Sequence, residues 1–328
     1  MIDLIPLLST PIASMPAWTW LFFFLVVITL LVLDLGVLHK EQREIGIRES
    51  LLLSAGYIAA ALLFGVWVWW YMGAQQGLDY YTGFLIEKSL SMDNIFVIAL
   101  IFSFFAIPPK YQHRVLFWGI LGVIILRALM IGLGATLINE FNWILYFFGA
   151  FLVFTGIKML IMADSKPDLA KNPLLNFVKK HVPLTDQLHG NAFWVKRADP
   201  VTGKMVRVGT PLFLALVMVE FTDLVFAVDS IPAIFAITTD PFIVYTSNIF
   251  AILGLRALYF ALSAMIHRFH YLKYALALIL VFIGSKIFLV NIIGKIPASL
   301  SLGVTISLIL GGILVSLWKT SDHNKGKP

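Results

Sequence analysis

Cysteine is absent from the 328 residues, which excludes structural disulfides and thiolate metal sites. Charge is scarce. Asp, Glu, Lys and Arg make up 13% of the chain, against about 25% in an ordinary soluble domain. No nucleotide-binding glycine fingerprint occurs, and no span carries a histidine pair placed for haem, so enzyme chemistry is not expected. Residues 1–17 hold no Lys or Arg and no small-residue cleavage site, so no signal peptide is expected.

What fills the chain instead is apolar sequence, 60% of all residues. Runs of about 20 apolar residues recur along its length, each long enough to span a bilayer as a helix. The expected fold is an all-α polytopic membrane protein of about nine transmembrane helices. The spans fall near 18–38, 51–72, 79–107, 115–138, 143–163, 210–237, 243–264, 272–293 and 298–318. This divides the chain into an N-terminal region with two spans (1–78), a three-span unit (79–163), a long loop (164–209), a second three-span unit (210–293) and a last span with its tail (294–328). Within the loop, Pro173–His181 reads as an amphipathic helix with Leu174, Phe177 and Val178 on one side. Phe193–Val208 reads as a hairpin around Asp199-Pro200-Val201-Thr202-Gly203.

The net charge of +6 follows topology rather than nucleic-acid binding. With nine spans the termini lie on opposite sides. If the N-terminus is outside, eighteen of the 24 Lys and Arg fall on cytoplasmic segments and one, Lys295, on an outer segment. The positive-inside bias makes the C-terminus cytoplasmic.

Five Lys and Arg remain inside spans, and so do the acids that organise the chain. Glu87-Lys88-Ser89-Leu90-Ser91-Met92-Asp93-Asn94-Ile95 returns as Asp223-Leu224-Val225-Phe226-Ala227-Val228-Asp229-Ser230-Ile231, with Glu220 one turn earlier. A carboxylate at bilayer depth costs roughly 2.5–3.5 kcal/mol, so five cost on the order of 15 kcal/mol before compensation. Leu126-Arg127-Ala128-Leu129 likewise returns as Leu255-Arg256-Ala257-Leu258. Val153-Phe154-Thr155-Gly156-Ile157-Lys158 returns as Val281-Phe282-Ile283-Gly284-Ser285-Lys286. The offsets are 136, 129 and 128 residues. A unit of three spans is odd, so the second copy is expected upside down relative to the first. Such inverted repeats are built around a midplane substrate site.

Glu87, Asp93 and Asn94 from one copy, with Glu220, Asp223, Asp229 and Ser230 from the other, offer only hard oxygen donors. They suit a divalent cation of the Mg²⁺, Ca²⁺ or Mn²⁺ kind. At 100° per residue Glu87 and Asn94 share a face, as do Asp223 and Ser230, while Asp93 and Asp229 lie about 120° away. Either the helices unwind at the motifs or each acid meets a different neighbour. Pro232 favours a break in the second copy and would free the Val228 carbonyl as a ligand; Phe96 stands at the matching place in the first. Lys88, Arg127, Lys158, Arg256 and Lys286 are candidates to neutralise the acids when no cation is bound, the alternative being static ion pairs between helices. Asp34, at a span end, reads as a capping or solvated residue.

The motifs Gly83–Asn94 and Val219–Ala236, and the run Thr239-Asp240-Pro241-Phe242 to Leu255-Arg256-Ala257-Leu258, resemble those of the TerC family over roughly residues 18–318. The resemblance implies a multi-pass protein of the bacterial inner membrane, in the broader LysE-like transporter group, linked to Mn²⁺ export and, by family name, to tellurium resistance. It carries the acidic positions over as metal-coordinating candidates, and Mn²⁺ specifically comes from it. The expected function is export of divalent cations through a carboxylate-lined site, with the ion and the lipid bilayer as partners and no organic cofactor. The other expectation is an accessory protein that holds Mn²⁺ for exported proteins or docks the secretion machinery. A second copy as partner is left open. A fluorescent reporter fused after Pro328 is expected to be active, as only a cytoplasmic C-terminus allows, and a periplasm-dependent phosphatase at the same point inactive.

Overall fold

A computed structural model describes residues 9–13, 15–36, 47–141, 143–161, 172–198, 205–262, 272–294 and 296–325. Helices occupy every segment expected to span: α1 (Ala17–Gly36), α2 (Ile47–Met72), α3 (Ala74–Phe104), α4 (Pro109–Glu140), α5 (Ile144–Ile161), α7 (Pro211–Phe235), α8 with α9 (Pro241–Leu253 and Leu255–Leu262), α10 (Leu272–Ile293) and α11 (Ala298–Lys325). Seven of these are long and apolar enough to cross a membrane. Of the other two, α1 has a shorter apolar stretch, Ala17–Leu33, and α3 carries Asp79, Glu87, Lys88 and Asp93 in its interior. The protein is an all-α polytopic membrane protein.

Proline starts four of the helices. Pro109, Pro173, Pro211 and Pro241 all sit in the first turn, where a missing N–H costs nothing. Asp240 caps α8 by accepting from Phe242 N at 2.9 Å. Gly73, at φ 109°, is the single residue between α2 and α3, a backbone conformation that glycine tolerates best.

The loop holds the expected amphipathic helix, α6 (Pro173–His181), capped by Asn172. Of the expected side, Val178 is buried and Leu174 packs partly buried on the same core, Leu175 joins them, and Phe177 turns away. Phe177 is exposed, because the i, i+3 pair of Leu175 and Val178 is the stripe turned onto the helical core. The expected hairpin is β3 (Trp194–Ala198) paired antiparallel with β4 (Met205–Gly209); its turn lies outside the described residues. A shorter pair, β1 (Pro11–Ile12) and β2 (Met15–Pro16), precedes α1.

Helices α3 and α7 pack on each other and run antiparallel. Tyr80 and Phe84, early in α3, share an apolar core with Ala227, Ile231 and Phe235, late in α7. Ile95, Ile98 and Phe102, late in α3, share a second core with Leu212, Ala215 and Val219, early in α7. Two apolar layers thus lie above and below the level of Glu87 and Asp223. The first is rich in aromatics, with Phe64 and Phe250 ring centroids 4.8 Å apart and Trp20 and Phe242 5.0 Å apart. The second is closed at its end by Leu175 and Val178 of α6.

The packing has an internal symmetry. Helix α3 packs on α8 and α4 on α7; α5 packs on α7 and α3 on α10. Exchanging α3, α4 and α5 for α7, α8–α9 and α10 carries each of these contacts onto another. The pairs α3–α7, α4–α8 and α5–α10, which also pack, map onto themselves. This is the pattern that the sequence repeat would produce.

Between apolar helices in lipid, close approach through small residues replaces the hydrophobic force. Helices α5 and α10 cross at repeat-matched glycines. A Cβ on Gly156 would stand 2.7 Å from the Ala277 carbonyl oxygen, and one on Gly284 2.6 Å from the Gly149 carbonyl oxygen. Both obstacles are backbone and cannot swing away. Gly156→Val and Gly284→Val are expected to destabilise by about 1–3 kcal/mol or more through overpacking. Gly303→Ala, with open space around it, is expected to change little. Thermal unfolding of the purified protein in one detergent checks all three.

Candidate functional site

The first acids of the two motifs meet at one cation. Glu87 and Asn94 stand two turns apart on α3, and Asp223 and Ser230 two turns apart on α7. Arg127 of α4 lies among them, fully buried at 0% exposure. Its Nε donates to Asp223 Oδ2 at 3.2 Å and its Nη2 to Asp223 Oδ1 at 3.0 Å. Its Nη1 donates to Glu87 Oε1, Asn248 Oδ1 and, at 3.3 Å, Ser230 Oγ. The planar guanidinium suits this: one edge makes a paired contact with one carboxylate while the remaining amine reaches the other.

Asn248 of α8 completes the ring. Its Oδ1 accepts from Arg127, and its Nδ2 donates to Glu87 Oε2 at 3.3 Å. Asn94 Nδ2 donates to Asp223 Oδ1 at 3.4 Å. Two acceptors at the edge of the network have no hydrogen-bond partner among the described residues: Asn94 Oδ1 and Glu220 Oε2. The Glu220 carboxylate occupies the notch left by Gly122, where a Cβ would stand 2.1 Å from Oε1. On the side of the network nearer the second apolar layer is a cavity lined by Asn94, Ile98, Gly119, Val219, Asp223 and Arg256, among others.

The other expected site residues part from this cluster. Asp229 points at α5, where its Oδ1 accepts from Thr155 Oγ1 at 3.3 Å within electrostatic range of Lys158. The reason is the 120° offset already present in the spacing. Helices α3 and α7 are continuous through both motifs, so the helices do not unwind, and on α7 Asp223 and Asp229 meet different neighbours. Pro232 sits inside α7 without ending it, contrary to the expected break. The interruption falls at Gly254, between α8 and α9. The side chains of Asp93 and Asp34 lie outside the described residues.

The expected neutralising role falls directly on Arg127. Lys88 is buried, but its Nζ donates to the Ala251 carbonyl at 3.1 Å beside Gly254. Lys286 donates to Ser301 Oγ at 3.5 Å and interacts with Asp79, which also accepts from Gln75 at 3.2 Å. Arg256 lines the cavity. Among the described residues no group of three or more His, Asp and Glu side chains converges as a metal cage.

Two members of these networks escaped the sequence reading. Asn248 was signalled by the polar triplet Thr246-Ser247-Asn248 within an apolar span. Asp79 stands where a span begins, and an acid at a span boundary carries no signal of its own. Removing Arg127 would leave Glu87 and Asp223 buried side by side. Arg127→Met is expected to destabilise by about 3–5 kcal/mol. Arg127→Met/Asp223→Asn is expected to recover part of that loss, and Arg127→Lys little, since an ammonium cannot make the paired contact. Thermal unfolding of the purified variants checks this.

Comparisons with known proteins point one way. The profile described as "Integral membrane protein TerC family" matches residues 72–324. A membrane protein of Rickettsia felis is 52% identical over 93% of this chain and 100% of its own length. A membrane protein of Myxococcus xanthus is 45% identical over 94% of this chain and 96% of its own. A Salmonella typhi protein, Alx, named as a candidate membrane-bound redox modulator, is 43% identical over 93% of this chain and 96% of its own. No solved structure matches. With its acidic motifs, its in-span arginine and its apolar helices inside the matched region, the chain belongs to the integral membrane protein TerC family.

Proposed function

We propose that this protein carries divalent cations out of the cytoplasm by alternating access, with Mn²⁺ as the ion that the family resemblance favours. The observation that carries the reading is that a cation already sits among oxygen donors from both halves of the chain, and that this cation is Arg127. Two carboxylates against one guanidinium leave one negative charge. A divalent cation in its place balances both. Glu87, Asp223, Asn94, Ser230 and Asn248 supply oxygens of the hard type that such ions select. The guanidinium is tethered, so it competes with an incoming ion, and only an ion that binds the donors better displaces it.

In this reading the cavity beside Asn94 and Asp223 is the approach from the cytoplasm. Its walls include Leu116, Gly119 and Val123 of α4 and Val219 and Asp223 of α7; both helices begin next to basic sequence, Lys110 and Arg114 for α4 and the loop 164–209 for α7, and the charge bias puts those ends on the inner side. Glu220, one turn nearer that side with a bare Oε2, attracts the ion on its way in. Asp229 with Lys158, and Asp79 with Lys286, hold helices together and do not bind the ion. The name of the Salmonella relative suggests redox control. Without cysteine, this chain has no thiol chemistry of its own to offer, and control of metal supply to redox enzymes would fit both observations. In the accessory alternative, the protein holds Mn²⁺ for exported proteins without moving it.

The test is flux in proteoliposomes, with Mn²⁺, Mg²⁺ and Ca²⁺ compared. Asp223→Asn is expected to reduce Mn²⁺ flux by about tenfold or more, the effect of ~1.4 kcal/mol or greater weakening. Asp229→Asn is expected to reduce it less, and changes within loop 164–209 to spare it. Tight Mn²⁺ binding with no flux in the unaltered protein would overturn the carrier reading in favour of the accessory one.

A further inference from the structure

The sequence repeat relates residues, not only helices, and the cavity can be carried through it. Adding 136 to positions on α3 and 129 to positions on α4, or subtracting them on α7 and α8–α9, gives each lining residue a counterpart. Asn94 maps to Ser230, Ile98 to Ile234, Gly119 to Asn248, Ile120 to Ile249, Asp223 to Glu87 and Arg256 to Arg127. These counterparts are contiguous in the structure. They are the residues packed around the other side of the charged ring. All six are buried, as are the six cavity residues they mirror, and two of them are taken up by the charged network: Ser230 and Asn248 accept from Arg127. A Cβ on Gly83, the counterpart of Val219, would stand 2.9 Å from Ser247 Oγ and 3.4 Å from Ile234.

We infer that these residues form a second, outer vestibule for the cation, closed in this structure, and that opening it exchanges the roles of the two arginines. The inference rests on the alternating-access reading. In inverted-repeat carriers one repeat rocks against the other, so the second state gives each repeat the conformation that its mate has in the first. Here Arg127 is gripped by both carboxylates, and Arg256 lines a cavity against Asp223 and Asn94. In the second state Arg256 takes the grip, and Arg127 lines a cavity against Glu87 and Ser230.

Of the unmatched pairs, Asn248 and Gly119 differ most in what they offer the charged ring. Beside Glu87 stands Asn248, whose amide ties Arg127 and Glu87 together. At the matching place beside the cavity stands Gly119, which has no side chain; the nearest atom to a Cβ there would be Val219 at 3.4 Å. An amide on one side and a hydrogen on the other bias the equilibrium toward the inward-facing state.

The absence of cysteine makes the test direct. Ile98→Cys reports the present cavity and Ile234→Cys the mirrored vestibule, each read with a membrane-impermeant maleimide on vesicles of both orientations, without metal. In the otherwise unaltered protein, Ile98→Cys is expected to react from the cytoplasmic side and Ile234→Cys slowly from the outer side. Exchanging the unmatched pair, Gly119→Asn with Asn248→Gly, is expected to slow the first and accelerate the second by about tenfold each, the response of a two-state balance shifted by about two decades from mostly inward-facing. Asn248→Gly alone, read at Ile234→Cys and at Ile249→Cys, gives the same direction if the double exchange fails to fold. Labelling at Ile234→Cys that stays at background in every variant while Ile98→Cys reacts, or labelling of both from one side, would overturn the inference. Because no metal is present, the result separates from the flux test. Mn²⁺ flux without accessibility exchange sinks the vestibule and leaves the carrier standing. Accessibility exchange without Mn²⁺ flux leaves the vestibule and sinks Mn²⁺ as its cargo.

Discussion

A guanidinium buried between two carboxylates constrains everything else in this protein. Charges at bilayer depth are tolerated only in company, because each lone one costs several kcal/mol. Arg127 therefore holds α3, α4, α7 and α8 at the separations where Glu87, Asp223, Ser230 and Asn248 can all reach it. Break that set and the four helices lose their common register, since the surrounding packing is apolar and carries little direction of its own.

The layers above and below follow from this. Antiparallel α3 and α7 bring their matched acids to one level, and each helix then offers apolar residues in both directions away from it. On one side the layer is aromatic and backed by α1 and α2, with Phe23, Phe64 and Trp20 stacked around Phe242, Tyr245 and Phe250. On the other its buried residues are mostly aliphatic, and the layer holds a cavity and ends under α6. The helices outside the repeat are thus not bystanders. They break the symmetry that the repeat alone would impose.

The unmatched residues matter as much as the matched ones. Acids and arginines recur at fixed offsets, but Asn248 faces Gly119 across the pseudo-symmetry, and Asp79 has the apolar Ala215 as its counterpart. Matched charges meet in one buried network, and the unmatched neutral residues make its two sides differ, since Asn248 bonds Arg127 and Glu87 while Gly119 offers no side chain.

The helical spans and the acidic motifs inside them are readable from the chain. They depend on hydropathy, on residue type and on fixed spacing, which are local properties. The spacing even contained the parting of Asp229 from Asp223, since 120° on a helix cannot be undone without unwinding it. Which basic residue would meet the acids was not readable. Lys88 stands beside Glu87 in sequence yet reaches the Ala251 carbonyl, and Arg127, forty residues on, takes the carboxylate. Pro232 looked like a break and is not one, while the break at Gly254 had no proline to announce it. Pairing of buried charges, the fate of a proline in a packed helix and the position of a cavity depend on which side chains of distant helices arrive in the same few ångströms, and only the tertiary structure decides that.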